Sequence, residues 1–270
     1  MRRSAGWPLK FEVSLIKSAI LSGAMTPRIS PKAKLGKRVQ IADSAIIYDH
    51  VVIGDDTCVD DFCILGKPFP GVDGPLVIGA GSQIRSHTVL YQGSELGDRL
   101  ETGHHVLIRE GTRCGSRLRV GSFSDIEGDC QIGDFCNLHS YVHIGKGSRI
   151  GHFVWLYSLV TLTNDPLPPS HRPSPVTVED GAVVCTGVVL LAGAVIGKGA
   201  FIAAHNKVSG EIPPGSLVAE GYPAMHVSNL RDLPSGTQHP WMRHYRDRYP
   251  PEAQGRLEEL YREVMDSKKR

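Results

Sequence analysis

The feature that most constrains this chain is a six-residue spacing of aliphatic residues. Three runs keep the spacing without interruption, and they extend over 29–65, 78–162 and 178–208. Within these runs only Thr102 and Cys114 hold a repeat position without an aliphatic side chain. A period of six matches neither the repeat of a helix nor the alternation of a strand. It indicates a short strand followed by a corner, and three such units close a coil of eighteen residues around an apolar interior.

Glycine often follows the aliphatic residue, as in Ile196-Gly197, and a small residue such as Ala200 often stands four positions after it. Glycine tolerates the corner, and the small residue lets neighbouring walls pack closely. On these motifs the sequence over roughly 29–208 resembles the hexapeptide-repeat, left-handed β-helix family. The resemblance implies an all-β fold, a left-handed parallel β-helix. Its nine or so coils, stacked about 4.8 Å apart, would form a rod about 40 Å long.

Two interruptions of the repeat are rich in proline and glycine. Residues 66–77 contain GKPFPGVDGP and residues 163–177 contain TNDPLPPSHRPSPV, so we expect two extruded loops. The organisation that follows is an N-terminal segment 1–28 with a short helix, a β-helix acyltransferase-like domain 29–227 and a C-terminal extension 228–270.

Helical spacing of apolar residues appears at both ends of the chain. Between Leu9 and Ile20 it predicts a short amphipathic helix. In the C-terminal extension an apolar stripe predicts a second helix through Leu257, Leu260, Tyr261 and Val264. We expect the second helix to cover an open end of the β-helix, because unpaired strand edges promote aggregation.

Composition narrows the class of protein. The net charge is +2 with acidic and basic residues nearly balanced, which favours neither a nucleic-acid partner nor a membrane partner. No apolar run is long enough to predict a transmembrane helix, and the charged N-terminal region does not resemble a secretion signal. The six cysteines form no CxxC pair, so we expect reduced, mostly buried cysteines in a cytoplasmic protein.

Three local segments carry a closer resemblance. They are TGHHVLIREGTRCGSRLRVGSFSDIEGDCQIG, LHSYVHIGKGSRIGHFVW and VTLTNDPLPPS. They resemble N-acetyltransferases of nucleotide-linked amino sugars, above all those acting on dTDP-3-amino-3,6-dideoxyhexoses, with enzymes of UDP-linked 3-amino sugars next. The resemblance implies an acetyl-CoA-dependent N-acetyltransferase acting on a dTDP- or UDP-linked 3-amino deoxysugar. It also implies a homotrimer with active sites between its subunits.

Two alternatives stay open at this point, an O-acetyltransferase on a sugar or small alcohol and a non-catalytic β-helix scaffold. The carbonic anhydrases of the same fold require three histidines around zinc. His87 and His105 stack eighteen residues apart, but no third ligand suits them, so no metal is expected. The TND loop and the histidines near it argue against a scaffold, which would need neither.

Stacking of residues eighteen apart maps the candidate site. His143 lies above Thr161, and Lys146 lies above Asn164. We therefore expect a single ridge that contains Glu127, His143, Lys146, Asn164 and Asp165. Structural alternatives exist for each: His143 would also form a surface ladder with its neighbour Asp125 one coil earlier. Glu127 and Lys146 suit a solvated pair, and Asn164 and Asp165 suit a turn cap, although the last pair matches the family motif for sugar binding.

His139 stacks onto Tyr157 on a neighbouring face, from which we expect it to complete a partner subunit's site. Histidine suits the removal of a proton from the attacking amine, because its pKa lies near neutrality. His139 and His143 are therefore the candidate bases. The departing CoA sulfur is the alternative proton acceptor, in which case positioning carries most of the rate.

The remaining candidate residues come from the resemblance. His104 and His105 are expected to face the nucleotide, Tyr157 to contact the substrate, and Lys67 with Phe69 either to clamp the base or simply to pack. The expected acetyl-CoA groove is lined by Thr186, Gly187, Ala203, Ala204, Lys207 and Ser209. The sequence departs from the family where Ser209-Gly210 stands in place of a Thr-Lys pair, so the CoA phosphates need contacts elsewhere.

Overall fold

A computed structural model describes residues 28–220, 222–229 and 246–269. Short strands in this part of the chain pair with the strand one coil away and build three parallel sheets. Sheet A contains, in spatial order, Arg28–Ile29, Ile46–Ile47, Ile64–Lys67, Val89–Tyr91, Leu107–Ile108, Asp125–Ile126, His143–Ile144, Thr161–Leu162, Val189–Leu190 and Lys207–Val208.

Sheets B and C follow the same order of coils. Sheet B contains Lys34–Leu35, Val51–Ile53, Leu76–Ile78, Glu95–Leu96, Arg113–Cys114, Gln131–Ile132, Arg149–Ile150, Thr177–Val178, Val195–Ile196 and Glu211–Ile212. Sheet C contains Gln40–Ile41, Cys58–Val59, Gln83–Ile84, Glu101–Thr102, Arg119–Val120, Asn137–Leu138, Trp155–Leu156, Val183–Val184, Phe201–Ile202, Ser216–Ala219 and Tyr222–His226. The three sheets wind into a parallel β-helix, so the predicted fold class is confirmed.

The aliphatic repeat residues fill the interior, as their spacing predicts. Most of them are fully buried, and the strand residue before each one faces outward. Thr102 is tolerated inside because its hydroxyl oxygen accepts the Arg85 N–H at 2.9 Å and lies 3.2 Å from the Thr88 hydroxyl. Cys114 is partly buried against the same core. Leu35 remains 43% exposed because it lies in the first coil that the structure describes, and no earlier described residue covers it.

Both predicted loops leave the repeat where its phase breaks. Lys67 still belongs to a strand of sheet A, and the first loop follows it. The first loop lengthens one coil, so that Ile64 pairs with Val89. The second loop lengthens a later coil, so that Thr161 pairs with Val189. The coils on either side remain in register.

The C-terminal helix α1, Pro251–Asp266, does not cover an open end of the β-helix, so that expectation is wrong. It packs instead along the outer face of sheet C, where Leu257 and Val264 meet Trp155 and Val183 in a second apolar cluster. The outward residues of sheet C are apolar in these later coils, and the amphipathic stripe of the helix buries them. Polar contacts at both ends, such as Lys198–Glu263 at 2.7 Å, fix the helix along the sheet.

Shorter elements complete the C-terminal region. The last strand, Tyr222–His226, pairs antiparallel with Ser216–Ala219 and closes the edge of sheet C. Single 3₁₀ turns occupy Val227–Asn229, Arg246–Arg248 and Ser267–Lys269. The predicted N-terminal helix between Leu9 and Ile20 lies outside the described residues.

All six cysteines are free. Cys63, Cys130 and Cys136 are buried, and the other three are partly buried. Burial raises the pKa of the Cys63 thiol to about 11, so it carries no thiolate at neutral pH. Among the described residues no helix has the length and apolarity needed to cross a bilayer. The same residues contain no group of three or more histidine, cysteine or acidic side chains arranged to hold a metal.

Candidate active site

The outer face of sheet A carries a paired histidine. His143 stacks between Asp125 and Thr161, as the eighteen-residue spacing predicts, and its Nδ1 lies 2.8 Å from Asp125 Oδ2. A carboxylate only accepts hydrogen bonds, so Nδ1 carries the hydrogen in this pair. The hydrogen bond to Asp125 raises the pKa of His143 against the opposing effect of burial. Nε2 makes no hydrogen bond to a residue that the structure describes, so this nitrogen remains available to a ligand.

Glu127, Lys146 and Asn164 meet beside this histidine. The Lys146 N–H donates to Glu127 Oε2 at 3.1 Å, and Asn164 Nδ2 donates to the Lys146 carbonyl at 3.4 Å. The Lys146 ammonium group does not pair with Glu127, since it lies 3.0 Å from Asp129 Oδ2. The predicted ridge therefore forms, but Glu127 binds backbone rather than the lysine side chain.

The Asp165 carboxylate accepts hydrogen bonds from its own loop. Its two carboxylate oxygens accept the N–H groups of Leu167 at 3.0 Å and Ser170 at 2.7 Å. Hydrogen bonds from Ser170 lower the pKa of Asp165. This is the turn-cap geometry that the sequence left open as the alternative to sugar binding, and it orders the chain immediately after Asn164.

The first loop packs on the same side of the molecule. Phe69 contacts the Tyr91 ring edge-on at 6.2 Å, and the Arg109 guanidinium lies 5.0 Å from the Phe69 ring centre. Lys67 lies over Tyr48, 5.8 Å from the ring centre. Lys67 and Phe69 thus both pack against residues of their own chain.

The outer face of sheet C has a different character in its earlier coils. A groove of about 830 Å³ runs across the sheet, with Arg248, Tyr249 and Pro250 as one wall. His104 and His139 both line it. His104 Nδ1 lies 2.8 Å from the Ser86 hydroxyl, which holds the ring at the groove's edge.

His139 lies at the inner part of the groove and stacks on Tyr157 with ring centres 4.5 Å apart, as predicted. Burial, assisted by the nearby charge of Arg119, lowers the pKa of His139. Its Nε2 is buried and has no hydrogen-bond partner in the described part of the chain. The two candidate bases thus differ: His143 is held by a carboxylate, whereas His139 is a neutral ring stacked on aromatic side chains.

His105 does not face the groove, which corrects the expectation that it accompanies His104 toward a nucleotide. It stacks between His87 at 4.4 Å and Phe123 at 4.9 Å, on the corner that joins sheet C to sheet A. Consecutive residues at a corner point in different directions, which separates the two histidines. We call this corner series the bare column; it comprises Phe62, His87, His105, Phe123, Tyr141 and Leu159.

The residues expected to line the acetyl-CoA groove lie together in the last coils. Thr186 and Gly187 lie at the same corner as Ala203 and Ala204, linked by the His205 N–H donating to the Thr186 carbonyl at 2.9 Å. Lys207 and Ser209 follow on the exposed surface of sheet A. The carbonyl oxygens of Ala203 and Ala204 both accept from the Asn206 side chain, which ties this corner together and leaves each oxygen one further lone pair.

The sequence reasoning missed the arginines of the sheet C groove. The signal was present, since stepping by eighteen from Gly81 gives Arg99, Arg117 and then Phe135. That step predicts a basic column leading into an aromatic one.

No protein-family model matches the sequence, and no curated protein matches it. Solved structures do match. The UDP-N-acetylglucosamine acyltransferase from Arabidopsis is 17% identical over 69% of this chain and 70% of that chain, with a TM-score of 0.45. Its namesake from Francisella novicida is 20% identical over 86% and 78%, with a TM-score of 0.39. The polySia specific acetyltransferase NeuO is 13% identical over 80% and 91%, with a TM-score of 0.28. Similarities at this level do not select a function for the chain.

Proposed function

We propose that this chain is an acetyl-CoA-dependent acyltransferase that acetylates the amino group of a dTDP- or UDP-linked 3-amino deoxysugar, in sites between the subunits of a homotrimer. The observation that carries the proposal is the pair formed by His143 and Asp125, 2.8 Å apart on an exposed strand face. A general base needs a free nitrogen and a fixed orientation, and this pair provides both.

Asp125 and His143 have separate roles in the proposed acyl transfer. Asp125 accepts the Nδ1 hydrogen and fixes the ring, which leaves Nε2 to accept the proton that the amine loses as it attacks the thioester. The hydrogen bond that raises the pKa of His143 also strengthens it as a base. The amine must attack in its neutral form, so transfer is expected to become faster as the pH rises.

Asn164 and Asp165 would act before the chemical step. The Asn164 amide N–H is directed to the Lys146 carbonyl, so its carbonyl oxygen can accept from a sugar hydroxyl or amine. Asp165 is a positioning residue in this proposal, because its carboxylate orders the loop that follows Asn164. Glu127 keeps one carboxylate oxygen for the sugar, since the Lys146 N–H occupies the other.

Trimer formation is supported by the bare column. Phe123 and Tyr141 are 51% and 54% exposed although they stack on each other, and Leu159, which is 55% exposed, follows them in the column. An exposed cluster of large apolar side chains is typical of an interaction surface. If three copies meet with this corner near a three-fold axis, sheet A of each subunit faces sheet C of the next. His143 of one subunit would then face the groove that contains His139 of its neighbour.

The expected acetyl-CoA surface is compatible with that arrangement. Starting from His139, the same corner position is occupied by Tyr157, Cys185 and Ala203 on the next three coils. At about 4.8 Å per coil the column places Ala203 some 14 Å from His139. An extended thioester arm lying along this corner would reach from the last coils to the histidines.

O-acetylation of a sugar or small alcohol is the second candidate, and the His143–Asp125 pair favours it specifically. A hydroxyl group needs base assistance more than an amine does, because it is the weaker nucleophile. A non-catalytic scaffold gives no reason for the paired histidine or for the ordered loop after Asn164.

The test is a thiol-release assay with acetyl-CoA and a panel of acceptors: dTDP- and UDP-linked 3-amino and 4-amino sugars, galactosides and serine. Release of CoA only with a nucleotide-linked amino sugar, lost in His143→Gln and kept in the exposed control His50→Gln, is the expected result. Release of CoA with a hydroxyl acceptor alone would favour O-acetylation over N-acetylation. No release by a folded protein that also fails to bind acetyl-CoA would contradict any transferase.

A further inference from the structure

The groove on sheet C is strongly basic. It spans the sheet from one corner to the other, beside the start of helix α1, and has a volume of about 830 Å³. Its charged side chains, apart from the histidines, are the arginines 85, 99, 117, 119 and 248 and a single carboxylate, Glu101. An excess of arginine in a concave surface concentrates anions there.

Two of these arginines, Arg85 and Arg99, have no carboxylate partner among the described residues, and two others have only loose or exposed ones. Arg119 pairs with Glu101 at 3.3 Å, and both side chains are well exposed. Arg117 lies 3.9 Å from Glu252, which is the outer limit of an ion pair. Arg85 donates to the Thr102 carbonyl at 3.0 Å, a bond that leaves its charge uncompensated. Arg99 forms no ion pair with any residue that the structure describes.

A second observation points to a ligand in the same place. His139 Nε2 is buried beside the groove without a hydrogen-bond partner in the described part of the chain. Buried polar atoms are nearly always hydrogen-bonded, and an orphan of this kind requires a partner that a ligand or a bound water supplies. The wall residue Tyr249 and the inner residue Trp155 also offer ring surface at the groove's inner end.

We propose that this groove binds the pyrophosphate of a nucleoside diphosphate. The planar guanidinium forms paired hydrogen bonds to phosphate oxygens, so several arginines around one concavity suit two linked phosphates better than a single carboxylate ligand. Two sources share this chemistry, the nucleotide of the amino-sugar acceptor and the adenosine diphosphate part of CoA. The inference deepens the proposed function, and it rests on that function for the identity of the ligand.

Direct binding to the purified full-length protein tests the groove without any acyl transfer. Titration calorimetry is run with dTDP and UDP in one arm and with CoA in the other. The test variant is Arg85→Gln with Arg99→Gln, since both side chains are exposed and neither replacement disturbs the interior. The matched control is Arg113→Gln, an exposed arginine of the adjoining coil that lies on sheet B and pairs with Glu95 at 3.3 Å.

The expected result is nucleoside diphosphate binding that weakens at least about tenfold in the double variant, as the loss of charge-assisted hydrogen bonds predicts. It should also weaken with added salt and remain unchanged in the control. Loss in the dTDP and UDP arm alone assigns the groove to the acceptor, and loss in the CoA arm alone assigns it to the donor. Unchanged affinity in both arms, or no binding of any of these ligands by the wild-type protein, would overturn the proposal.

The outcome separates this inference from the proposed function. If acyl transfer is absent but dTDP binds through Arg85 and Arg99, the result supports nucleoside diphosphate binding in the groove and contradicts the proposed transferase activity. If thiol release proceeds normally in the double variant at limiting acceptor and limiting acetyl-CoA, the transferase stands and the groove does not.

Discussion

Sheet C is bordered by two columns of stacked rings, and the described part of the chain covers only one of them. In the covered column, Phe135 and Phe153 stack at 5.1 Å, with Tyr249 edge-on at 5.5 Å and the Arg256 guanidinium 5.3 Å above the Phe153 ring. Phe153 is only 2% exposed as a result. In the bare column, Phe123 and Tyr141 stack at 5.2 Å yet remain more than half exposed.

Both columns arise from the same eighteen-residue stacking, so the coil alone does not decide which rings are covered. The C-terminal segment decides it: α1 and Tyr249 lie along one corner and leave the other uncovered. The described part of the chain covers one aromatic column with α1 and contains no element that covers the other. In the proposed trimer, another subunit would cover the bare column.

The largest expected effect comes from charging the bare column. Phe123→Glu with Tyr141→Glu should convert the trimer to a folded monomer and abolish acyl transfer, because carboxylates cannot be buried unpaired at an interface. Sedimentation and the thiol-release assay measure the two effects. Leu35→Glu, at an exposed apolar residue outside the column, is the control and should change neither. A double variant that still sediments as a trimer would break the comparison.

Truncating the covered column should act on stability instead. Phe153→Ala is expected to lower the free energy of unfolding by about 3–5 kcal/mol, the usual cost of removing a buried ring. Phe123→Ala should mainly weaken assembly, so its effect on the unfolding midpoint should depend on protein concentration. Urea titrations at two protein concentrations distinguish them. The same concentration dependence for both variants would show that the two columns are not covered in different ways.

His143 and its partner Asp125, on the sheet A side of the bare column, should contribute to the chemical step by different amounts. His143→Gln is expected to lower kcat by about a hundredfold or more, the usual contribution of a general base. Asp125→Asn should lower kcat less and move the rising limb of the pH–rate profile to lower pH, because Asp125 is the main cause of the raised pKa of His143. Steady-state rates over a pH series test this. A kcat that survives replacement of both His143 and His139 by Gln would assign proton removal to the departing sulfur.

The smallest expected effect is on stability as a function of pH. The pKa of His139 is lowered in the folded protein. Below about pH 6.5 the unfolded chain therefore binds a proton at this histidine that the folded chain does not bind, and the free energy of unfolding decreases. The pKa of His143 is raised, so its contribution is fully present below about pH 6.5 and is lost as the pH rises through the folded value. Urea midpoints should therefore show less acid loss in His139→Asn and more in His143→Asn. A change of the same sign in both variants would contradict the assignment.

The sequence predicted the fold through one rule, the burial of every sixth residue, and the same rule predicted the pairing of His143 with Thr161 and the stacking of His139 on Tyr157. It works because each coil repeats the geometry of the one before. The rule cannot describe elements outside the repeat. The position of α1 depends on the apolar outward residues of sheet C, such as Trp155 and Phe201, which a period of six treats as ordinary outward positions.

The candidate site was predicted only in part for a related reason. Stacking predicts which residues are neighbours along a column, but not the direction of a side chain at a corner. His104 and His105 diverge for that reason, and Asp165 turns back to cap its own loop. The wall of the sheet C groove comes from Arg248 to Pro250, far along the chain from its floor, and no repeat predicts that meeting.

The central claim, that sheet A of one subunit and sheet C of the next form one site, is tested most directly by mixing two impaired variants and measuring thiol release at limiting acceptor and limiting acetyl-CoA. One carries His143→Gln and the other carries Arg85→Gln with Arg99→Gln; the two are co-expressed with different tags and purified as mixed trimers. If each site draws on two subunits, the mixed trimers recover thiol release to about a third of the wild-type rate, since one of the three sites in every mixed trimer combines both intact faces. Mixed trimers as inactive as either parent would contradict the claim, because a site contained within one subunit cannot be restored by its neighbour.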